Sequence, residues 1–232
     1  MELIVVPSAR FGGAALDALS RALAGIQRPC VGLPTGKTPV GLYRCISACR
    51  MAFPRGTRAF AVDEYIWADT THPATNASFF RQHWRSGGGV PDVVVPRADA
   101  IHPEAEIEAH CRSIAAAGGF DVVLLGIGRN GHSAFNEPGS TIDSSCRVVP
   151  LAETTRRDSG WSWPHAPHLG MTVGLREIMA ARRVVLLATG ASKRAVLRDA
   201  LTGPITDQLP ASFLQRHAGL IVVCDAEAGW QT

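Results

Sequence analysis

Apolar residues in this chain follow two rhythms. Short runs dominated by Val, Ile and Leu occur at 3–6, 30–33, 59–62, 121–125, 183–188 and 220–224. Their length and continuity suit strands buried on both faces. Between them, apolar positions recur at helical spacing over 14–24, 40–51, 77–84, 104–117, 193–201 and 211–217. This alternation predicts an α/β chain with a doubly wound, mostly parallel sheet and helices on both faces, a Rossmann-like three-layer sandwich.

Two stretches break the rhythm. Residues 87–95 combine Gly87-Gly88-Gly89 with Val93-Val94-Val95 and read as an irregular loop. Residues 150–170 set Arg156, Arg157, Trp161, Trp163, His165 and His168 among prolines, without periodicity. Too aromatic for an idle tail, that segment is expected to be a mobile lid over a site, the alternative being a packed surface loop. No repeat or linker divides the 232 residues, so 1–232 is read as a single domain.

Charge narrows the ligand. The formal net charge is +3, and the basic residues are scattered instead of forming a stripe. A small anionic ligand is favoured, with no nucleic acid as partner. The N-terminus lacks the basic start and long apolar run of a signal peptide, and no apolar stretch approaches the roughly 20 residues of a membrane span. A cytoplasmic protein without membrane contact is expected. Its six cysteines include no Cys-x-x-Cys pair and are read as buried free thiols. Cys45 and Cys49, four apart on a helix, would suit a metal, but no histidine follows at zinc-finger spacing; no metal site is expected.

Three strands end in polar motifs, and in open parallel sheets ligands bind beyond the carboxyl ends of the strands. The strand at 30–33 leads into Pro34-Thr-Gly-Lys-Thr-Pro39. Thr35, Gly36, Lys37 and Thr38 offer amides, hydroxyls and an ammonium before a helix, which suits a phosphate or carboxylate; a plain tight turn is the alternative. The spaced first glycine of a Walker loop is missing. The strand at 59–62 ends in Asp63-Glu64-Tyr65. A carboxylate emerging from an apolar wall gains proton affinity and suits a general base, unless the pair serves as a helix cap or salt bridge.

The strand at 121–125 runs into Gly126-Ile-Gly-Arg-Asn-Gly-His132 and then Ala134-Phe-Asn-Glu-Pro138. Its glycines do not fit the spacing of a dinucleotide fingerprint. His132 is carried into the crevice, and Glu137 offers a carboxylate that orients an imidazole for proton shuttling near neutral pH.

Together, Gly32–Pro39, Val62-Asp-Glu-Tyr65, Gly126–His132 with Ala134–Pro138, Thr172-Val-Gly174, Gly190-Ala-Ser-Lys193 and Val222-Val-Cys-Asp225 resemble the glucosamine-6-phosphate deaminase (isomerase) family over nearly the whole chain. The resemblance implies ring opening of an amino-sugar phosphate, aldose–ketose isomerisation through an enediol and release of ammonia, a deamination counted among hydrolase reactions in amino-sugar metabolism. By that likeness Asp63 moves the proton between C2 and C1. His132, supported by Glu137 and Asn130, serves ring opening, and Thr35–Thr38 with Lys193 hold the phosphate. No cofactor is implied, and the only partner is the small-molecule sugar phosphate; the chain is a monomer or homo-oligomer.

Three positions depart from the family pattern. Asn130 stands where an aspartate is frequent and orients an imidazole without adding charge. Trp161 falls at or near a lid arginine that the family uses on the phosphate, with Arg156 and Arg157 a turn earlier. Val149 stands where some hexameric members carry an allosteric lysine, so regulation by an acetylated amino-sugar phosphate is not expected. The rivals are the same chemistry on galactosamine 6-phosphate or another amino sugar, a 6-phosphogluconolactonase, and a non-catalytic sugar-phosphate sensor. The lactonase pattern would place an arginine where Tyr65 stands and would lack the Phe-Asn-Glu-Pro run.

Overall fold

The computed structural model describes residues 1–49, 51, 53–85, 87–162 and 164–230. Arg50, inside the helix expected over 40–51, and Trp163, inside the expected lid, lie outside the described residues. In chain order the elements are β1 (Glu2–Val6), α1 (Phe11–Leu23), β2 (Cys30–Leu33), α2 (Val40–Ala48), β3 (Arg58–Ala61), β4 (Asp63–Tyr65), α3 (Asn76–His83), β5 (Val93–Val94), α4 (Pro103–Ala116), β6 (Val122–Gly126), β7 (Arg147–Pro150), α5 (Glu153–Asp158), β8 (Leu169–Thr172), α6 (Leu175–Met179), β9 (Arg183–Ala188), α7 (Arg194–Thr202) and β10 (Leu220–Asp225).

Seven strands form one sheet in the order β1-β10-β9-β6-β2-β3-β5, and every pairing in it is parallel. The doubly wound α/β sandwich is therefore present. Its unbroken apolar strands have a direct cause: successive side chains point to opposite faces, and both faces are covered. Val123 and Leu125 of β6 pack into one core with Ile114, Ile178 and Leu197 from α4, α6 and α7. Val122 and Leu124 join the other core, with Leu19, Leu42 and Phe80 from α1, α2 and α3.

The pattern missed a second, smaller sheet. β4, β8 and β7 pair antiparallel, with Asp63 opposite Thr172 and Val149 opposite Gly170. Two expected helices also differ. Residues 210–216 form a 3-10 turn instead of an α-helix, and α7 is preceded by a 3-10 turn at Ala191–Lys193 that includes the lysine.

The cysteines correct another expectation. Cys111 of α4 and Cys146, just before β7, are bonded to each other, and Cys49 is exposed while Cys30 and Cys224 are buried thiols. Cys45 and Cys49 are free and form no metal cluster among the described residues. No described helix is long and apolar enough to cross a membrane.

Candidate active site

The carboxyl ends of β2, β3, β6 and β9 open on one side of the sheet, and β4 turns the chain there so that Asp63 and Glu64 are both buried. The adjacent carboxyls are handled differently. Glu64 accepts hydrogen bonds from the backbone N–H of Tyr65, Asn76 and Ala77, each at 2.8 Å. Two of those donors open α3, so Glu64 neutralises the helix N-terminus, and charge-assisted bonds of this kind contribute roughly 1.5–3 kcal/mol each. The capping alternative weighed for this pair holds for Glu64.

Asp63 has a different partner. Asn76 Nδ2 donates to its Oδ1 at 2.6 Å and to its carbonyl at 2.9 Å. Burial pushes the Asp63 carboxyl up to about 8, the Glu64 charge adding and the Asn76 amide opposing. Burial also raises Glu64, to about 7, against its three backbone donors. With three N–H groups facing it, Glu64 is the member we take as ionised, which leaves Asp63 as the carboxyl with high proton affinity.

The turn after β6 carries the second group. Gly131 N–H donates to the Gly128 carbonyl at 3.0 Å, putting Arg129 and Asn130 at its tip. Gly128 is required by its neighbour, because a Cβ there would collide with the His132 imidazole. His132 Nδ1 lies 2.7 Å from Asn130 Oδ1 and 3.0 Å from Thr155 Oγ1. Asn130 Nδ2 donates to Glu137 Oε2 at 2.8 Å, which fixes the amide so that its oxygen faces the imidazole. His132 therefore carries its proton on Nδ1, leaving Nε2 as the basic nitrogen. Glu137 Oε2 is 3.5 Å from Nδ1, so a carboxylate backs the imidazole even though an amide touches it. Burial works against the Glu137 charge, yet the bonds and charge offered by His132, with Thr155 and Asn130, hold its carboxyl below the ordinary value.

The small sheet joins these two groups. Thr172, opposite Asp63 in β8, accepts from the Phe135 N–H at 3.1 Å, and Asn136 Nδ2 donates to the Val173 carbonyl at 3.0 Å. Ala134, between His132 and Phe135, sits at φ 51°, a left-handed conformation that places the Phe-Asn-Glu run under β8. The Tyr65 phenol is pushed up by burial and by the charges of Asp63, Glu64 and Glu137.

The residues expected to bind an anion lie in neighbouring loops. Thr35 Oγ1 donates to Asn76 Oδ1 at 2.8 Å, tying the turn after β2 to the Asp63 partner. Thr38 Oγ1 lies 3.3 Å from Thr189 Oγ1, which follows β9 and precedes the Lys193 turn. Gly36 adopts φ 97°, and both Gly36 and Lys37 are exposed. Asp225 accepts from the Gly190 N–H at 3.0 Å and so pins the turn that presents Lys193. Burial lowers the Lys193 ammonium, Asp158 opposing and Arg129 adding.

The described residues of the segment 150–170 reach the His132 side through Thr155. The segment contains α5 and begins and ends in strand residues of the small sheet. Buried Arg156 donates to the carbonyls of Pro164, Ala166 and Pro167. Arg157 pairs with Glu153. Trp161 is buried with Tyr65 and Phe135 and stacks on His72 at 3.9 Å between ring centres; its indole N–H has no hydrogen-bond partner among the described residues. Asn76 and Thr155 were not among the residues singled out from the sequence, since their parts depend on approaches across 13 and 23 residues.

Comparison with known proteins follows the same lines. Residues 8–223 match the family model described as glucosamine-6-phosphate isomerases/6-phosphogluconolactonase. A glucosamine-6-phosphate deaminase of Arthrobacter sp. (strain FB24) is 37% identical over 98% of this chain and 91% of its own length. Glucosamine-6-phosphate deaminase 2 of Bacillus subtilis (strain 168) is 37% identical over 85% of this chain and 84% of its own. Among solved structures, a monomeric glucosamine-6-phosphate deaminase superposes with a TM-score of 0.89 at 28% identity, covering 98% of both chains. The 6-phosphogluconolactonase of Trypanosoma cruzi, at 23% identity and a TM-score of 0.78, shares the fold. The chain belongs to the glucosamine-6-phosphate isomerase/6-phosphogluconolactonase family.

Proposed function

We propose that the chain converts glucosamine 6-phosphate to fructose 6-phosphate and ammonia. The observation that carries this is identity above one third, over nearly its full length, with curated deaminases. The site supports it with two separate proton-handling groups, Asp63 and His132 backed by Glu137. A lactonase needs one base to activate water; ring opening followed by isomerisation uses both.

His132 Nε2 moves a proton between the ring oxygen and the anomeric hydroxyl, giving the open-chain aldehyde, while Asn130 and Glu137 hold the imidazole in the required tautomer. Asp63 as carboxylate removes the C2 proton, forming the nitrogen-bearing counterpart of an enediol, and returns it to C1. The resulting C2 imine takes up one water and releases ammonia, leaving the ketone. Thr35–Thr38 and Lys193 hold the phosphate. These steps use acid–base groups alone and need no metal or organic cofactor. The proposal takes 1–232 as one domain with 150–170 as its lid, acting on a sugar phosphate in the cytoplasm.

The test is ammonia release by the purified protein from glucosamine 6-phosphate, with galactosamine 6-phosphate and unphosphorylated glucosamine alongside. Release from the first alone is expected. Release from the galactosamine ester alone would change the sugar and keep the chemistry, whereas silence from folded protein on all three would refute the deaminase.

A further inference from the structure

We propose that Arg129 is a phosphate-binding residue of this chain, and that Asp158 is the carboxylate occupying its guanidinium until the substrate phosphate displaces it. This assignment rests on the phosphorylated substrate proposed above and names a ligand for it beyond the turn at 35–38 and Lys193.

The ion pair itself is the first observation. Arg129 Nε donates to Asp158 Oδ2 at 2.5 Å, and its Nη2 donates to Oδ1. Two parallel N–H bonds to two carboxylate oxygens is the fork arrangement with which arginine also recognises phosphate. Arg129 thus already has an oxyanion in its grip.

Position is the second. β6 and β9 are neighbours with Gly126 opposite Leu187, so Arg129 and Gly190, three residues beyond each, leave the sheet side by side. Arg129 shares its turn with Asn130 and His132, while Gly190 opens the turn bearing Lys193 and follows Thr189, the neighbour of Thr38. Asp158 and Arg129 are also the two charges that act on the Lys193 ammonium. One carboxylate is therefore bonded to one cation and within electrostatic reach of a second, where a dianion would be attracted more strongly.

Alternatives inside the lid are engaged elsewhere. The Arg156 guanidinium is buried against backbone carbonyls, and Arg157 faces Glu153 within α5. Arg129 and Asp158 are both partly exposed, at 53% and 35% of their side chains. That exposure gives the pair little hold on stability and leaves the guanidinium accessible to solute.

The proposal requires opposite effects from the two partners, which a merely structural ion pair would not give. Arg129→Ala should raise KM for glucosamine 6-phosphate, and the Kd for inorganic phosphate measured by calorimetry, by about tenfold or more, with kcat within about twofold. Asp158→Asn should lower both constants by about threefold. Arg198→Ala, which removes an exposed charge on α7, should change neither.

Unchanged phosphate affinity in Arg129→Ala would overturn the assignment. So would a shift in the same direction for both partners, the signature of a structural latch, or an equal loss in Arg198→Ala, the signature of bulk charge. Because the phosphate titration involves no turnover, it is separable from the deaminase test. A wild type that binds phosphate through Arg129 yet releases no ammonia would refute the reaction and keep the arginine.

Discussion

Two carboxylates in the site are buried to almost the same degree, Asp63 at 7% and Glu137 at 8% exposure, and respond to burial in opposite ways. Asp63 is pushed up to about 8, whereas Glu137 is held below the ordinary glutamate value. Asp63 lies deeper among protein atoms and is the more strongly desolvated of the two, and what faces each one widens the difference. Asp63 has a single amide donor and an adjacent carboxylate; Glu137 has Asn130, Thr155 and an imidazole able to carry charge. Burial alone does not set a proton affinity, and the same fold thereby keeps one carboxyl able to take a proton near neutral pH and another that stays ionised behind a histidine.

The largest effect expected from breaking this contrast is at Asp63. Asp63→Asn keeps the shape and can still accept from Asn76, but removes the base. Turnover and C2 proton exchange with solvent should fall by roughly 10²–10⁴, while binding of inorganic phosphate is retained. Exchange at the wild-type rate, followed by NMR in deuterated buffer, would remove Asp63 from this role.

Stability offers a second way to sharpen it. A carboxyl raised in the folded state binds its proton more tightly folded than unfolded, so Asp63 costs nothing at low pH, and its penalty grows as pH climbs from about 4, the usual aspartate value, to about 8. Glu137 has the opposite sign. Its contribution is present above the usual glutamate value near 4.3 and is lost as pH falls through its depressed folded value. Asp63→Asn should therefore melt higher than wild type at pH 8, with the gain disappearing near pH 4. Glu137→Gln should melt lower at pH 7 and approach wild type in acid. Melting curves whose differences from wild type did not vary with pH would contradict both signs.

The same physical distinction, many local cues against few, governs what was legible in the chain. Six strands of the large sheet carry continuous apolar runs, and their ends were recovered within about one residue; β5 at the sheet edge, two residues long and half-exposed, lies in the stretch read as an irregular loop and was missed. β4, β7 and β8 span three or four residues each and contain Asp-Glu, Pro and Gly, so no period of two could establish itself. α5 and α6, of six and five residues, are shorter than two helical turns. Asp63, His132 and Glu137 were singled out because they lie at a strand end or in the loop that follows one. Asn76 could not, because beside the cap residue Thr75 it reads as part of a helix start, and only the fold brings its amide to Asp63. The Cys111–Cys146 bond was missed for a similar reason, being a contact between α4 and the approach to β7 with no local signature.

Asn130 gives the smallest expected effect and the finest probe of the comparison. At present it passes Glu137's influence to His132 as a neutral bridge, donating from Nδ2 and accepting at Oδ1. Asn130→Asp would replace the donated hydrogen bond at 2.8 Å by a second carboxylate beside Glu137. Two such groups at that distance share a proton, so one would remain protonated while the other faced the imidazole as a charge. The cationic form of His132 would be favoured, and because His132 acts from its neutral form the acidic limb of the kcat profile should move to higher pH while kcat at its optimum stays within about tenfold of wild type. A loss near the 10²–10⁴ range of a missing acid–base group would show that the amide is needed for orientation.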